Sequence, residues 1–71
     1  MTQQEAIESA VRETQSTRWT QIYVVWQNGD WTTELPRNVR VRDIGAEPGG
    51  LTTAATYLVT RGKFQELKRG A

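Results

Sequence analysis

The fold of this chain is decided by residues 22–35, which read IYVVWQNGDWTTEL. Asn28 and Gly29 lie between two strand-like runs, and these residue types best tolerate the positive φ angles of a type I′ hairpin turn. A turn of two residues fixes the register, so we predict that Trp26 faces Trp31 across the hairpin. By strand alternation, one face then carries Ile22, Val24, Trp26, Trp31, Thr33 and Leu35.

A helix before the hairpin is the predicted cover for this face, because an isolated hairpin is marginal in water. Thr2 and Glu5 have the spacing of a capping box, in which each side chain bonds the backbone N–H of the other residue. Apolar residues then recur with a helical period. We therefore predict a helix from about Gln3 to Gln15. Its inward side comprises Ile7, Ala10, Val11 and Thr14.

The second face of the hairpin also carries aromatic side chains. After a connector at residues 16–18, we expect Trp19 to open the first strand, so that Trp19 and Tyr23 point away from Trp26. One interpretation is that the C-terminal half of the chain covers this face. The other is that Trp19 and Tyr23 form an exposed patch for a protein or base-stacking partner.

Composition excludes several kinds of catalytic and metal site. The 71 residues, enough for one domain, include no cysteine and no histidine. Disulfides, thiolate metal sites, histidine zinc sites and a histidine general base are therefore excluded. No nucleophile has a visible base partner, and the glycines form no phosphate-cradling fingerprint. We predict a protein that is not an enzyme and has no cofactor, metal ion or small-molecule substrate.

The hydropathy pattern predicts a cytoplasmic protein with no membrane partner. The apolar run at the strand core, residues 22–26, is too short to span a bilayer. The first five residues lack the basic and apolar regions of a signal peptide. We expect one domain over residues 1–71, with residues 66–71 frayed.

Charge is divided unevenly along the chain. Residues 1–36 carry two arginines against five acidic residues, whereas residues 37–71 carry seven cations against three acids. The net charge of +1 hides this difference. A basic half indicates an anionic partner, and a solvated surface that segregates charge is the alternative.

The region after the hairpin allows two interpretations. Val39 and Val41 alternate with arginines, which favours a third strand. Asn38, however, has a side chain that caps helices, and a short helix running into Ile44 is the alternative. Residues 47–50, Glu-Pro-Gly-Gly, predict a turn in either case.

The following segment, residues 51–62, also fits two structures, and both belong to a small α+β domain. Its local pattern slightly favours a helix, with a threonine at the N-cap and Gly62 just past the C-terminal end. Its threonines lower the helix propensity. The alternative is a strand over residues 56–60, a turn at residues 61–62 and a strand over residues 63–67.

The segment from residue 41 to residue 64 resembles the helix-turn-helix of excisionase and MerR-like proteins. Such segments combine a short first helix rich in small residues, a glycine turn, a recognition helix and a Gly-Lys-apolar exit. Here Gly49 falls at the turn and Gly62-Lys63-Phe64 at the exit. The packing positions are taken by Ile44, Gly45, Ala55 and Leu58.

This resemblance implies double-stranded DNA as the partner, with the recognition helix in the major groove. The residues implied to face bases and phosphates are Thr53, Thr56, Tyr57 and Arg61. Further phosphate contacts, which set affinity rather than sequence choice, are implied for Arg40, Arg42 and Lys63.

Two functions from different classes follow. The first is a small regulator of transcription or recombination, suited to a phage or mobile element, that binds double-stranded DNA through the basic C-terminal half. The second is a protein-binding module without DNA affinity, such as a phage-type inhibitor that docks on RNA polymerase or a nuclease. The basic half favours the first, whereas the aromatic hairpin and the modest net charge favour the second.

Overall fold

One helix and four strands dominate the residues that the computed structural model describes, 1–16 and 19–69. They are α1 (Gln3–Ser16), β1 (Gln21–Gln27), β2 (Asp30–Glu34), β3 (Ala54–Thr60) and β4 (Lys63–Glu66). The strands form one antiparallel sheet in the order β2-β1-β3-β4. The predicted α+β class is confirmed, with strands in the C-terminal half. Thr17 and Arg18 of the predicted connector lie outside the described residues.

The Asn28-Gly29 turn joins β1 to β2 as predicted. Asn28 has a φ of 52° and Gly29 a φ of 79°, the left-handed values that a type I′ turn requires. The predicted register is confirmed, with Trp26 opposite Trp31. The two indole rings meet edge to face, with centroids 5.3 Å apart and an interplanar angle of 69°. Such a pair adds about 0.5–1.5 kcal/mol beyond the burial of its area.

The predicted helix is confirmed, and a capping box holds its first turn. Glu5 N–H donates to Thr2 Oγ1 at 3.1 Å, and Thr2 N–H donates to the Glu5 carboxylate at 2.7 Å. The bond from the Thr2 backbone is the main cause that lowers the pKa of the Glu5 carboxyl. The buried residues of the helix are Ala6, Ile7, Ala10 and Thr14.

The core lies between α1 and one face of the sheet. It comprises Ala6, Ile7 and Ala10 from the helix and Ile22, Val24 and Val59 from the strands. Trp31 and Leu35 pack against this core. Trp26 lies beside Pro48, and its indole N–H donates to Gly50 O at 3.2 Å. The helix therefore covers most of the predicted face, and the loop before β3 covers the rest.

The prediction that favoured a helix over residues 51–62 is wrong. The alternative prediction, two strands joined by a turn at residues 61–62, is confirmed. Threonine and valine in this segment are β-branched, so they pack better on a pleated sheet than in a helix. Arg61 and Gly62 form a two-residue turn with φ angles of 47° and 84°. Gly62 N–H donates to Oγ1 of the buried Thr14 at 2.9 Å, which ties this turn to α1.

Residues 35–53, which we call the crossing segment, lead from the end of β2 to the start of β3. They contain two short 3-10 turns, Pro36–Asn38 and Val41–Asp43. Neither the third strand nor the short helix considered for this region forms. Proline suits the first position of a helical turn because its φ is fixed and its missing N–H is not needed there. Ile44 then makes a parallel bridge with Ala55, which returns the chain to the sheet.

Residues 41–64, which resemble a helix-turn-helix, hold one 3-10 turn and the strands β3 and β4 up to Phe64. They contain no α-helix, so the recognition helix that the resemblance implies does not form. Across residues 1–16 and 19–69, no helix has the length and apolar character needed to cross a membrane.

The N-terminus is tied to the tip of the hairpin. The ammonium group of Met1 lies 2.8 Å from Asp30 Oδ1, and the same oxygen accepts Trp31 N–H at 2.8 Å. The bond from the ammonium group, followed by the bond from Trp31, lowers the pKa of the Asp30 carboxyl.

Replacement of Thr14 by valine tests the tie between α1 and the β3–β4 turn. Valine keeps the shape of the side chain but removes the oxygen that accepts Gly62 N–H. We expect the free energy of unfolding, measured by urea titration, to fall by about 1–3 kcal/mol because a part-buried donor loses its partner. Thr14→Ser keeps the acceptor and should lose only about 0.8 kcal/mol for the missing methyl group. Equal stability of the valine variant and the wild type would contradict the prediction.

Stability linked to Asp30 should depend on pH. Folding lowers the pKa of this carboxyl, so its contribution is fully present above the ordinary value of about 3.9. The contribution is lost as the pH falls through the lowered folded-state pKa. Asp30→Asn should therefore reduce the slope of unfolding free energy against pH in this acid range. An unchanged slope would show that the bonds to Asp30 do not contribute to the free energy of unfolding.

Candidate functional site

The residues predicted to bind DNA are spread over three places. Arg40, Arg42 and Thr53 line one groove. Arg61 lies in the turn between β3 and β4 and Lys63 directly follows it, at the opposite end of β3 from Thr53.

Thr56 and Tyr57 occupy the third place, inside the fold. Tyr57 packs against the core on the helix side, where its ring meets the Phe64 ring edge to face with centroids 5.8 Å apart. Thr56 is the extra residue at the bulge between β1 and β3. Its Oγ1 is buried and has no hydrogen-bond partner within the described ranges. The expected DNA-facing row along one helix therefore does not exist.

The aromatic patch expected from Trp19 and Tyr23 does not form either. β1 begins at Gln21, so Trp19 precedes the strand and does not follow its alternation. Trp19 packs against the core on the helix side. Tyr23 lies opposite Glu34 and Leu58 on the other face of the sheet. The sheet separates the two rings.

The groove that contains Arg40 and Arg42 is lined mostly by the crossing segment, and Arg69 joins the lining from residues 67–69, the C-terminal tail. We call it the arginine groove. Its volume is about 840 Å³. The lining side chains that matter below are Arg40, Arg42, Arg69, Leu51, Asp43 and Glu47.

Short-range backbone bonds hold the two arginines of the crossing segment. Asp43 N–H donates to Arg40 O at 2.9 Å, and Ile44 N–H donates to Val41 O at 3.2 Å. Arg40 and Arg42 therefore belong to one 3-10 turn, which sets the spacing of their side chains.

Two bonds fix this turn against the sheet. Asn38 Nδ2 donates to Glu34 Oε1 at 3.1 Å, before the turn. Gly45 N–H donates to Ala55 O at 2.9 Å, after it. The arginines are thus carried by a segment that is anchored on both sides.

The C-terminal tail reaches the groove through Arg69. Leu67 N–H donates to Thr56 O at 2.8 Å, which extends the pairing of β4 with β3. The Arg69 guanidinium donates to Arg42 O. The tail and the crossing segment therefore bring two arginines together from distant parts of the chain.

Gly45 allows this approach. Its φ is 77°, and an added Cβ would stand 2.7 Å from Arg69 N and 2.8 Å from Lys68 C. Glu66 ends β4, and residues 68–69 lie against Gly45. The fraying expected for residues 66–71 stays a prediction. Residues 70–71 lie outside the described part of the chain.

An exposed leucine stands beside the arginines. Thr52 N–H donates to Gly49 O at 3.1 Å and closes a tight turn that includes Leu51. The bond from the Trp26 indole to Gly50 O anchors this turn to β1. Leu51 is 88% exposed, so its side chain is free to contact a partner.

The lining has an excess of positive charge. Three arginines line the groove together with two acidic residues, Asp43 and Glu47. Guanidinium groups bind carboxylates and phosphates through pairs of N–H donors. In the described ranges, no three acidic, histidine or cysteine side chains are grouped to hold a metal ion. The lining therefore suits an anionic group on a partner.

Sequence reasoning missed Arg69 and Leu51. The contact between Arg69 and Arg42 spans 27 residues, so no local pattern indicates it. Leu51 lies at the start of the segment for which a helix was favoured, just before the threonines expected at its N-cap. The signal that could have found it is the Pro48-Gly49-Gly50 run, because a turn there presents the next residue to solvent.

Comparisons with known proteins do not extend this description. No protein-family model, no curated protein and no solved structure matches this chain. Function is therefore argued from the groove and from the surfaces of the described residues.

Gly45→Ala, compared with Gly49→Ala, tests the contact between residue 45 and the C-terminal tail. Alanine at position 45 adds a Cβ that clashes with the tail and must adopt a positive φ. We expect the free energy of unfolding to fall by about 1–3 kcal/mol and the Leu67 amide to exchange faster with solvent. Gly49 meets nothing within 4 Å and has no positive φ, so its alanine variant should stay within about 0.5 kcal/mol. Similar losses in both variants would contradict the packed tail.

Proposed function

We propose that the protein is a small non-enzymatic binding module that holds an acidic protein segment in the arginine groove. Carboxylates of the segment pair with Arg40, Arg42 and Arg69, and an apolar side chain of the segment covers Leu51. The observation that carries this proposal is the presence of three arginines and an exposed leucine in the lining of one groove.

The residue types of the groove support a protein partner. Arginine is enriched at protein interfaces because its planar head binds carboxylates with fixed geometry. Covering an exposed leucine adds about 1.5–3 kcal/mol of apolar burial, which a phosphate backbone cannot supply. Asp43 and Glu47 repel carboxylates of the segment, so they restrict where its acidic residues lie.

The same groove is less suited to the backbone of double-stranded DNA. Asp43 and Glu47 stand among the arginines and repel phosphates. Thr56 and Tyr57, which were expected to face DNA, are turned into the fold. The α-helix expected to enter the major groove is replaced by strands. These features favour the protein partner.

Titration with an acidic peptide tests the proposal. The probe is a short peptide of alternating glutamate and leucine, added to isotope-labelled protein at low salt. Binding should shift the resonance of the Trp26 indole N–H, because this group bonds Gly50 beside Leu51. Arg40→Ala should weaken binding about tenfold through the loss of a charge-assisted bond. Leu51→Ala should weaken it by a similar factor through lost apolar burial.

The control variant is Arg12→Ala, which removes an exposed arginine from α1, outside the groove. It should leave the dissociation constant unchanged. A peptide of glutamate and serine, which lacks the apolar contact, should bind more weakly than the glutamate–leucine peptide. Equal affinity for the two peptides, or the absence of binding, would contradict the proposal.

Double-stranded DNA is the second candidate, as expected of a transcription or recombination regulator, and the placement of Arg61 and Lys63 favours it. Both residues are exposed at the tip of the β3–β4 hairpin, where two cations close in sequence can contact backbone phosphates. Duplex affinity should fall with salt, at about 0.9 per phosphate contact on a log–log plot. Arg61→Ala with Lys63→Ala should reduce that slope, whereas Leu51→Ala should not. The absence of binding at low salt removes this candidate.

A further inference from the structure

The outer edge of β4 is an uncovered strand edge. All four residues of β4 are exposed, and β3 pairs with only one side of the strand. Thr60 and Lys63 flank a two-residue turn, so their N–H and C=O groups point at each other. The groups of Phe64, the next residue, therefore point away from the sheet.

The bond from Leu67 N–H to Thr56 O confirms this alternation. Odd-numbered residues of β4 and the tail direct their backbone groups toward β3. Phe64 and Glu66 thus present unpaired N–H and C=O groups at the edge, which is the pattern that accepts a further strand.

The opposite edge of the sheet is partly closed by its own side chains. Along β2, the Asp30 carboxylate accepts Trp31 N–H at 2.8 Å. The Glu34 carboxylate accepts Leu35 N–H at 3.3 Å. Within residues 1–16 and 19–69, no side chain closes the edge of β4 in this way, so the two edges differ in their readiness to pair.

We propose that β4 pairs antiparallel with β4 of a second copy of this chain, with Phe64 opposite the partner's Phe64. Each Phe64 donates its N–H to the C=O of its counterpart, and the two sheets become continuous. This inference concerns the sheet edge and stands apart from the arginine groove.

The side chain of Phe64 supports a second copy as the occupant. Phe64 is 59% exposed, and its ring meets the Tyr57 ring edge to face. A twofold axis at Phe64 places the two phenylalanine rings side by side on the helix face of the joined sheet. Directly opposed aromatic residues stabilise antiparallel pairs, and the two rings remove apolar area from water that a lone chain leaves exposed.

Charge complementarity favours the same register. With Phe64 opposite its counterpart, Glu66 lies opposite the partner's Gly62. The neighbours of that glycine are Arg61 and Lys63. Each copy therefore sets an acidic residue against a basic turn of the other copy.

The outward backbone groups also permit a register shifted by two residues. Repulsion between like charges disfavours this second register. In that register Lys68 lies opposite the partner's Gly62, and Arg69 lies opposite the partner's Arg61. Like charges directly opposed across a strand pair are destabilising. The self-complementary register centred on Phe64 is therefore the one we assign.

Sedimentation of the full chain at rising concentration tests the proposal. The mass should increase from that of the 8.1 kDa monomer to twice this value as the concentration approaches about 1 mM, a range typical of weak association. Phe64→Glu opposes two carboxylates at the axis and removes both rings, so it should weaken dimerisation by about tenfold or more. Near-ultraviolet circular dichroism of the Trp26–Trp31 pair shows whether the variant is folded.

Gln65→Glu reports the register. In the assigned register position 65 lies opposite the partner's Lys63, so the new ion pair should strengthen dimerisation about two- to fivefold. In the shifted register position 65 lies opposite itself, and the same variant would weaken dimerisation. Gln27→Glu adds the same charge at the exposed end of β1, two strands away from β4, and should have no effect.

Three results overturn the proposal. One is a chain that remains monomeric at about 1 mM. If an extended peptide added to this monomer slows hydrogen exchange of the Phe64 amide, the partner at the edge is a foreign strand and not a second copy. The second is a dimer that tolerates Phe64→Glu. The third is a dimer weakened by Gln65→Glu.

Discussion

The two-residue bend at Asn28-Gly29 is the constraint on which the other packing depends. It leaves one register for β1 and β2, and a slip of one residue would turn every inward side chain outward. In this register Ile22 and Val24 share a face with the tryptophan pair, and α1 packs on that face. The remaining edge of β1 then pairs with β3. The sheet order therefore depends on a turn whose positive φ angles asparagine and glycine adopt at low cost.

The parts of the fold with local signals could be predicted from the sequence. The capping box of Thr2 and Glu5, the helical period after it and the hairpin turn each lie within a few residues, and all three form. Residues 54–60 could not be assigned in the same way. Their apolar residues fit one face of a helix. They form a strand because they pair with the free edge of β1, which is far away in sequence. Tertiary pairing of this kind overrides local propensity.

The crossing segment shows the reverse case. Val39 and Val41 alternate like a strand, yet the segment forms two 3-10 turns and makes a single bridge to the sheet, from Ile44 to Ala55. Composition located the basic half, and with it Arg40 and Arg42. The groove itself depends on the close approach of Arg69 to Arg42 over Gly45. A contact between distant segments has no sequence pattern of its own. Arg69 was therefore assigned only to a C-terminal segment that was expected to fray.

The central pairing of β1 with β3 has a consequence for the order of folding. Each hairpin joins neighbours through a two-residue turn, so both can close quickly. The two hairpins meet only after the whole crossing segment has been looped out, and the entropy of that loop closure precedes any gain from the pairing. We therefore expect the docking of one preformed hairpin on the other, with α1 settling over the seam, to limit the folding rate.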